Sequence, residues 1–193
     1  MVRIIVGKEV FMKYIVLLRG INISGKNKID MKTLKIETEN LGYHNVTTYL
    51  NSGNLIFTSD IKDKSIIGNS IHNMIKDKFN LDIPVYITTY EEIKELLDNS
   101  PSFWNTGNKE IYDNIIFIIE PYTYREVYNG LGEPNHSLEQ IKEYKNKIFW
   151  SYDLKNYRKS NWWIRSASTD IKDYITIRTV NTVNKLLDMC EKK

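Results

Sequence analysis

Residues 45–58 read Asn-Val-Thr-Thr-Tyr-Leu-Asn-Ser-Gly-Asn-Leu-Ile-Phe-Thr, and this stretch decides the fold. Asn45–Leu50 and Leu55–Thr58 are rich in β-branched and aromatic residues. Between them lie Asn51-Ser52-Gly53-Asn54, residue types that tolerate positive φ. The pattern predicts a tight hairpin, and the sheet that contains it is antiparallel at that point.

Upstream, Lys13–Leu18 is an apolar run of strand length, followed by a loop from Gly20 to Lys28. Met31–Leu41 then carries Met31, Leu34 and Leu41 at helical spacing, with Asp30 placed to accept N-terminal amides and Gly42 suited to the C-terminal position. Downstream, Ile61–Phe79 sets Ile67, Ile71, Met74, Ile75 and Phe79 on one helical stripe, and Ile83–Thr88 is a further strand opening beside Pro84. The order βαββαβ is the split βαβ arrangement, a ferredoxin-like unit in which two helices cover one face of a four-stranded antiparallel sheet.

The second half repeats the theme. It predicts a helix at Glu91–Leu97, a loop at Pro101–Gly107, a strand at Ile115–Ile119, a short helix at Tyr122–Tyr128 and a turn region at Gly130–Ser137. A hairpin of Gln140–Tyr144 with Ile148–Tyr152 about Asn146 follows, then a helix over Leu154–Ile164, a strand at Ile175–Ile177 and a closing helix from Val180 to Met189. The expected architecture is α+β: tandem duplicated ferredoxin-like units at 12–88 and 89–193, with antiparallel sheets and helices on one face. No low-complexity linker separates them, so they are expected to pack as one body.

Residues 1–11, MVRIIVGKEVF, precede the first clear strand. Gly7-Lys8-Glu9-Val10 can be encoded by a purine-rich stretch containing AAGGAGGU, the form of a bacterial ribosome-binding site, so Met12 is read as the natural start and 1–11 as a translated leader. The other reading is an extra edge strand over Val2–Val6. The segment lacks the apolar region and cleavage site of a signal peptide, and nowhere does the chain approach the ~20 apolar residues of a membrane span.

With 193 residues, 41% of them hydrophobic, the chain has material for a packed core, which excludes disordered and fibrous classes. A net charge of +3 is too small to argue for nucleic acid or membrane by charge alone. The single cysteine, Cys190, permits no internal disulfide and points to a reducing, cytoplasmic setting. His44, His72 and His136 lie in unrelated segments, so no metal is predicted, and no cofactor motif is found.

One loop imitates a known phosphate cradle. Gly20 to Asn27, between a strand and a helix, has the spacing GxxxxGK, but Asn27 stands where a P-loop needs a magnesium-binding hydroxyl, and the helix starts several residues late. The neighbouring antiparallel hairpin is also foreign to a P-loop sheet. What survives is simpler: Arg19, Lys26 and Lys28 surround a loop with two glycines and Asn22, where backbone N–H groups and cations suit a small anion.

These residues carry a resemblance. Arg19-Gly20-Ile21-Asn22 with Gly25-Lys26-Asn27-Lys28 resembles the RGINVGGKNKV signature of the DUF1697 family, and Tyr49–Phe57 resembles its YIQSGNVVF signature. Thr176-Ile177-Arg178-Thr179-Val180-Asn181-Thr182-Val183-Asn184-Lys185-Leu186 is similar to the family's T-A-R-N-W-x-T-V-x-K-L block, with Thr179 and Val180 in place of Asn and Trp. The resemblance spans Met12 to Met189 and implies a mostly bacterial family with a duplicated ferredoxin-like fold and no assigned reaction.

The signatures fall on a strand-to-helix loop, a hairpin and the start of the last helix. Asn22, Gly25, Asn51, Ser52, Gly53, Asn54 and Thr182 offer amides and hydroxyls, and Arg19, Lys26 and Arg178 offer cations. The leading expectation is a polar loop cluster that binds a small anionic or nucleotide-like ligand. Two alternatives stand beside it: nucleic-acid binding through an exposed sheet face and the lysine-rich Lys142–Lys159 region, and a protein-interaction module using a sheet edge or face. No nucleophile with an activating base is visible, so no reaction class is assigned.

Overall fold

The computed structural model describes residues 11–191; the expected leader or edge strand at 1–11 falls, except for Phe11, outside them. Eight strands and six helices follow in order: β1 (Met12–Leu18), α1 (Met31–Asn40), β2 (His44–Tyr49), β3 (Asn54–Ser59), α2 (Lys64–Phe79), β4 (Val85–Thr89), α3 (Tyr90–Asp98), β5 (Ile111–Ile118), α4 (Tyr124–Leu131), β6 (Glu139–Tyr144), β7 (Lys147–Asp153), α5 (Asn161–Ser168), β8 (Ile175–Thr179) and α6 (Val180–Glu191). The strands form two four-stranded antiparallel sheets, ordered β2-β3-β1-β4 and β6-β7-β5-β8. Both expected hairpins are present.

Alternation along the central strands builds three apolar layers. Tyr14, Val16 and Leu18 of β1 face outward and pack with Leu34 of α1 and Ile67, Ile71 and Ile75 of α2. Ile15 and Leu17 point the other way, into a middle layer shared with Ile115 and Phe117 of β5, Phe149 of β7, Ile93 and Leu96 of α3 and Val183 and Leu186 of α6. Ile116 and Ile118 of β5 face a third layer with Val127 of α4 and Trp162 of α5. Each sheet therefore meets a helix pair on its outer face and the shared core on its inner one. That corrects the expectation of helices on one face only, and it removes the exposed sheet face proposed for nucleic acid: the central strands are buried on both faces.

Element ends follow local capping rather than hydrophobic spacing. Asp63 accepts from Ser65 N, so α2 starts at Lys64 and not at Ile61. Pro84 has no N–H to give the ladder, and β4 starts one residue later. The helix expected from Leu154 is replaced by a loop and a 3-10 turn at Tyr157–Lys159; α5 begins only at Asn161, because Ser160 is its cap and the Glu139 carboxylate holds its first amides. Thr89 and Thr123 form capping boxes with Glu92 and Glu126.

Candidate functional site

The loop after β1 folds onto itself. Asn22 N donates to Asn27 O at 3.1 Å, Lys26 N to Ile23 O at 2.9 Å and Asn27 Nδ2 to Gly20 O at 3.0 Å. The Asn22 amide closes the loop base, donating to Ile29 O at 3.0 Å and accepting from Ile29 N at 2.9 Å, and reaches Asn51 O in the hairpin at 2.9 Å. These amides are consumed internally and do not form a phosphate cradle.

The hairpin behind it is built around Gly53. Its φ is +76°, and a Cβ there would lie 2.7 Å from both Leu18 Cβ and Ile21 Cδ1, so glycine is required twice over. Gly53 O accepts from Leu18 N at 2.8 Å. Asn54 is fully buried, and its Nδ2 donates to Tyr49 O at 2.7 Å and Ser52 Oγ at 3.1 Å.

Into this hairpin β8 sends Arg178, only 7% exposed. Nε donates to Asn54 Oδ1 at 2.6 Å, Nη1 to Thr176 Oγ1 at 2.8 Å and Ile177 O at 2.9 Å, and Nη2 to Leu18 O at 2.9 Å and Ser52 O at 3.0 Å, with Gly53 O at 3.3 Å. All five N–H donors of the guanidinium are occupied, and all its acceptors are neutral. No carboxylate bonds it among the described residues. Burial, with the Arg19 cation adding in the same direction, pulls its pKa down to about 10. Arg178 thus joins the first sheet to the second while leaving a buried positive charge uncompensated.

Arg19 stands beside it. Its Nε donates to Lys172 O at 2.6 Å, and its terminal nitrogens have no partner among the described residues. Burial lowers its pKa, an effect that the Asp173 carboxylate opposes. Arg19, Ser52 and Arg178 line one cleft of about 280 Å³ between the sheets, closed on the far side by Ser166 and Thr176. Ser166 and Thr176 were not picked from the sequence: Ser166 reaches the cleft from α5, and Thr176, two residues before Arg178 on β8, reaches it through the β8–β5 pairing.

Of the ten residues picked from sequence, Arg19, Ser52 and Arg178 share the cleft, Gly53 and Asn54 support Arg178 from behind, and Asn22 and Asn51 brace the loops. Gly25 and Lys26 are not among the residues lining it: Gly25 borders a separate, more open hollow of about 480 Å³ together with Asn22, Asn51, Lys28 and Asp30. Thr182 is also separate: its Oγ1 lies 3.1 Å from Thr179 Oγ1, which accepts from Thr182 N at 3.3 Å as α6 begins. Among the described residues no group of three or more His, Cys, Asp or Glu is placed to hold a metal ion, and no helix is long and apolar enough to cross a membrane. Cys190 is buried, which raises its thiol to about 11 and disfavours the thiolate.

The family described as protein of unknown function (DUF1697) matches residues 12–149. The chain belongs to the DUF1697 family. A solved structure of the conserved bacterial protein SP0830 from Streptococcus pneumoniae has a similar fold, with a TM-score of 0.81 at 27% identity over 94% of this chain and 100% of that one. No curated protein matches. In this DUF1697 protein the Arg19 loop and the 49–57 hairpin both fall inside the matched segment, whereas Arg178, which bonds the hairpin, lies beyond it.

Proposed function

We propose that this DUF1697 protein binds a small anionic molecule in the cleft between its sheets, with the terminal guanidinium nitrogens of Arg19 donating to it and the Arg178 charge attracting it. The observation that carries this reading is the pairing of two cations in one cleft, one of them buried with only neutral acceptors. Burying an ion without a countercharge is costly, and a second cation beside it raises that cost; an anion in the cleft relieves both. Arg178 has no donor left, so it acts through its field, and hydrogen-bonded recognition falls to Arg19 with Ser52, Ser166 and Thr176.

The reading includes an origin for the cleft: two ferredoxin-like units, 12–88 and 89–193, joined by duplication, with the cleft at their seam. Its support is the βαββαβ order that β1–β4 and β5–β8 share, with the same relative strand order, the second unit adding α3 before it and α6 after it. The lone cysteine suits a bacterial cytoplasm. Neither nucleic acid nor a partner protein is favoured by a specific observation.

The test is differential thermal denaturation with inorganic phosphate, pyrophosphate, nucleotides and dicarboxylates. At least one anion raises the midpoint, and Arg19→Ala, which removes no hydrogen bond except that to Lys172 O, abolishes the rise while the protein remains folded. Equal shifts in wild type and Arg19→Ala, or none with any anion, would overturn the reading.

A further inference from the structure

A larger cleft, of about 370 Å³, lies elsewhere in the molecule, and none of the ten site residues picked from the sequence lines it, although its Lys145–Lys147 turn belongs to the lysine-rich region weighed for nucleic acid. Its walls come from both sheets: α2 with Lys64, Gly68 and His72, β4 with Val85 and Ile87, the end of β5 with Ile118 to Glu120, and the turn Lys145–Lys147. Its volume falls within the ~300–1,000 Å³ of small-molecule sites.

Most of its charges are already answered. Lys64 pairs with Glu92 at 2.6 Å, Lys145 with Glu95 at 2.5 Å, and His72 Nε2 faces Asp82 at 3.5 Å. Glu92 and Glu95, one turn apart on α3, thereby hold a lysine from each wall. Two charges are left over among the described residues. Lys147 is half-buried and reaches only the Lys145 carbonyl, at 3.3 Å; burial lowers the proton affinity of its amine. Glu120 stands exposed at the rim, and no hydrogen bond or ion pair engages it. The two line the same cleft and do not pair with each other.

Beside these charges Val85 and Ile87 of β4 present apolar surface, next to polar groups of Ser65, Asn69, Tyr86 and Asn146. The one glycine inside α2 also faces this space. A Cβ on Gly68 would meet only Ile87 Cγ1, at 3.5 Å, an ordinary contact, so packing does not demand a glycine there. A mid-helix glycine weakens its helix, and here it widens a cleft.

We propose that this cleft binds a small zwitterion with an apolar body, a free amino acid or dipeptide, its carboxylate on Lys147 and its ammonium on Glu120. A phosphate dianion is the poorer fit, because the rim carboxylate repels it and Lys64 and Lys145 are already neutralised.

Isothermal titration of the full chain with L-leucine and leucyl-leucine tests this, with N-acetyl-leucine, isopentylamine and inorganic phosphate as comparators. One of the two zwitterions binds, and each single-charge comparator is weaker by about tenfold or more, the scale of one lost charged hydrogen bond. Lys147→Met, which keeps the aliphatic stem, and Glu120→Gln, at an exposed position, each weaken the zwitterion by a similar factor with circular dichroism unchanged. Glu120→Gln also brings N-acetyl-leucine level with leucine. Arg19→Ala leaves all of these affinities alone, which separates this cleft from the one between Arg19 and Arg178. Three results would each overturn the proposal: no saturable binding of either zwitterion at about 1 mM, affinity indifferent to Lys147→Met, or phosphate binding more tightly than leucine in the Arg19→Ala protein, where the other cleft has lost its donor.

Discussion

Arg178 offers the sharpest test of what joins the two sheets. In Arg178→Met the stem still packs, but every hydrogen bond from the guanidinium is lost. Ser52 lies at the surface, where water replaces the donor to its carbonyl, and Gly53 O keeps its bond from Leu18 N. Asn54 Oδ1, Leu18 O and Thr176 Oγ1 belong to residues with at most 1% exposed surface, so they lose a donor without gaining water. At about 1–3 kcal/mol for each such acceptor the loss is about 3–9 kcal/mol. Removing an uncompensated buried charge returns part of it, leaving a destabilisation of about 3 kcal/mol. For a chain of this size that is a fall of about 6–12 °C in Tm. Arg178→Lys keeps the charge but not the planar fork, and is expected to fall by a similar amount because the charge is not the favourable part. The assay is urea denaturation followed by tryptophan fluorescence, with Tm by calorimetry. If Arg178→Met is as stable as wild type while Arg178→Lys is not, desolvation outweighs the network, and Arg178 is held in place by something other than these bonds.

Three further outcomes follow from named contacts. Gly53→Ala forces a Cβ to 2.7 Å from Leu18 and Ile21 at a φ of +76°, so about 3 kcal/mol of stability should vanish in a denaturant titration; a neutral result would mean that the hairpin can shift freely. Glu139 is 1% exposed and accepts from Trp150 Nε1 at 3.1 Å, Ser160 Oγ at 2.5 Å, Asn161 N at 2.8 Å, Trp162 N at 3.1 Å and Asn135 N at 2.9 Å. Glu139→Ala therefore strips the N-terminus of α5 and costs about 3–5 kcal/mol, with the near-ultraviolet signal of Trp150 and Trp162 lost first on heating. Burial pushes the Glu92 carboxyl up, but bonds from Lys64, Thr88 and Thr89 outweigh it and leave the pKa below the ordinary 4.5. A depressed carboxylate stabilises above 4.5 and loses that contribution as pH falls through its folded value, so wild type should lose stability below pH 4.5 more steeply than Glu92→Gln; parallel acid titrations would rule this out.

The parts of the molecule that were legible in its sequence are those whose cause is local. Asn51-Ser52-Gly53-Asn54 turns the chain because of what those four residues are, and the stripe on α2 needs no distant partner; on α1 Leu34 is buried as expected, but Leu41 lies past the helix and is exposed, and Thr38 is buried in the helix. The helix misplaced at Leu154 shows the opposite case. Its true start is set by the Ser160 cap, which hydrophobic spacing does not register, together with the Glu139 carboxylate, 22 residues upstream of Asn161, which nothing within 154–164 reveals. The cleft divides along the same line. Arg19 and the hairpin announce themselves as polar loops, whereas Ser166 arrives by the packing of α5, and Thr176 and the saturation of Arg178 by the placing of β8 across the chain.

That division changes what the loop signatures signify. Read locally, Asn22, Asn54 and Arg178 look like free donors and acceptors awaiting a ligand. In the fold each is spent: Asn22 on Ile29 and Asn51, Asn54 on Tyr49, Ser52 and Arg178, and Arg178 on carbonyls of the opposite sheet. Their polarity is used to build a seam, and what the seam leaves unsatisfied is charge rather than hydrogen-bonding capacity. In the binding proposed for this cleft, Arg19 supplies the recognition and the field of Arg178 the attraction. For that reason substitution at Arg19 is expected to alter binding without altering stability, and substitution at Asn54 is expected to do the reverse.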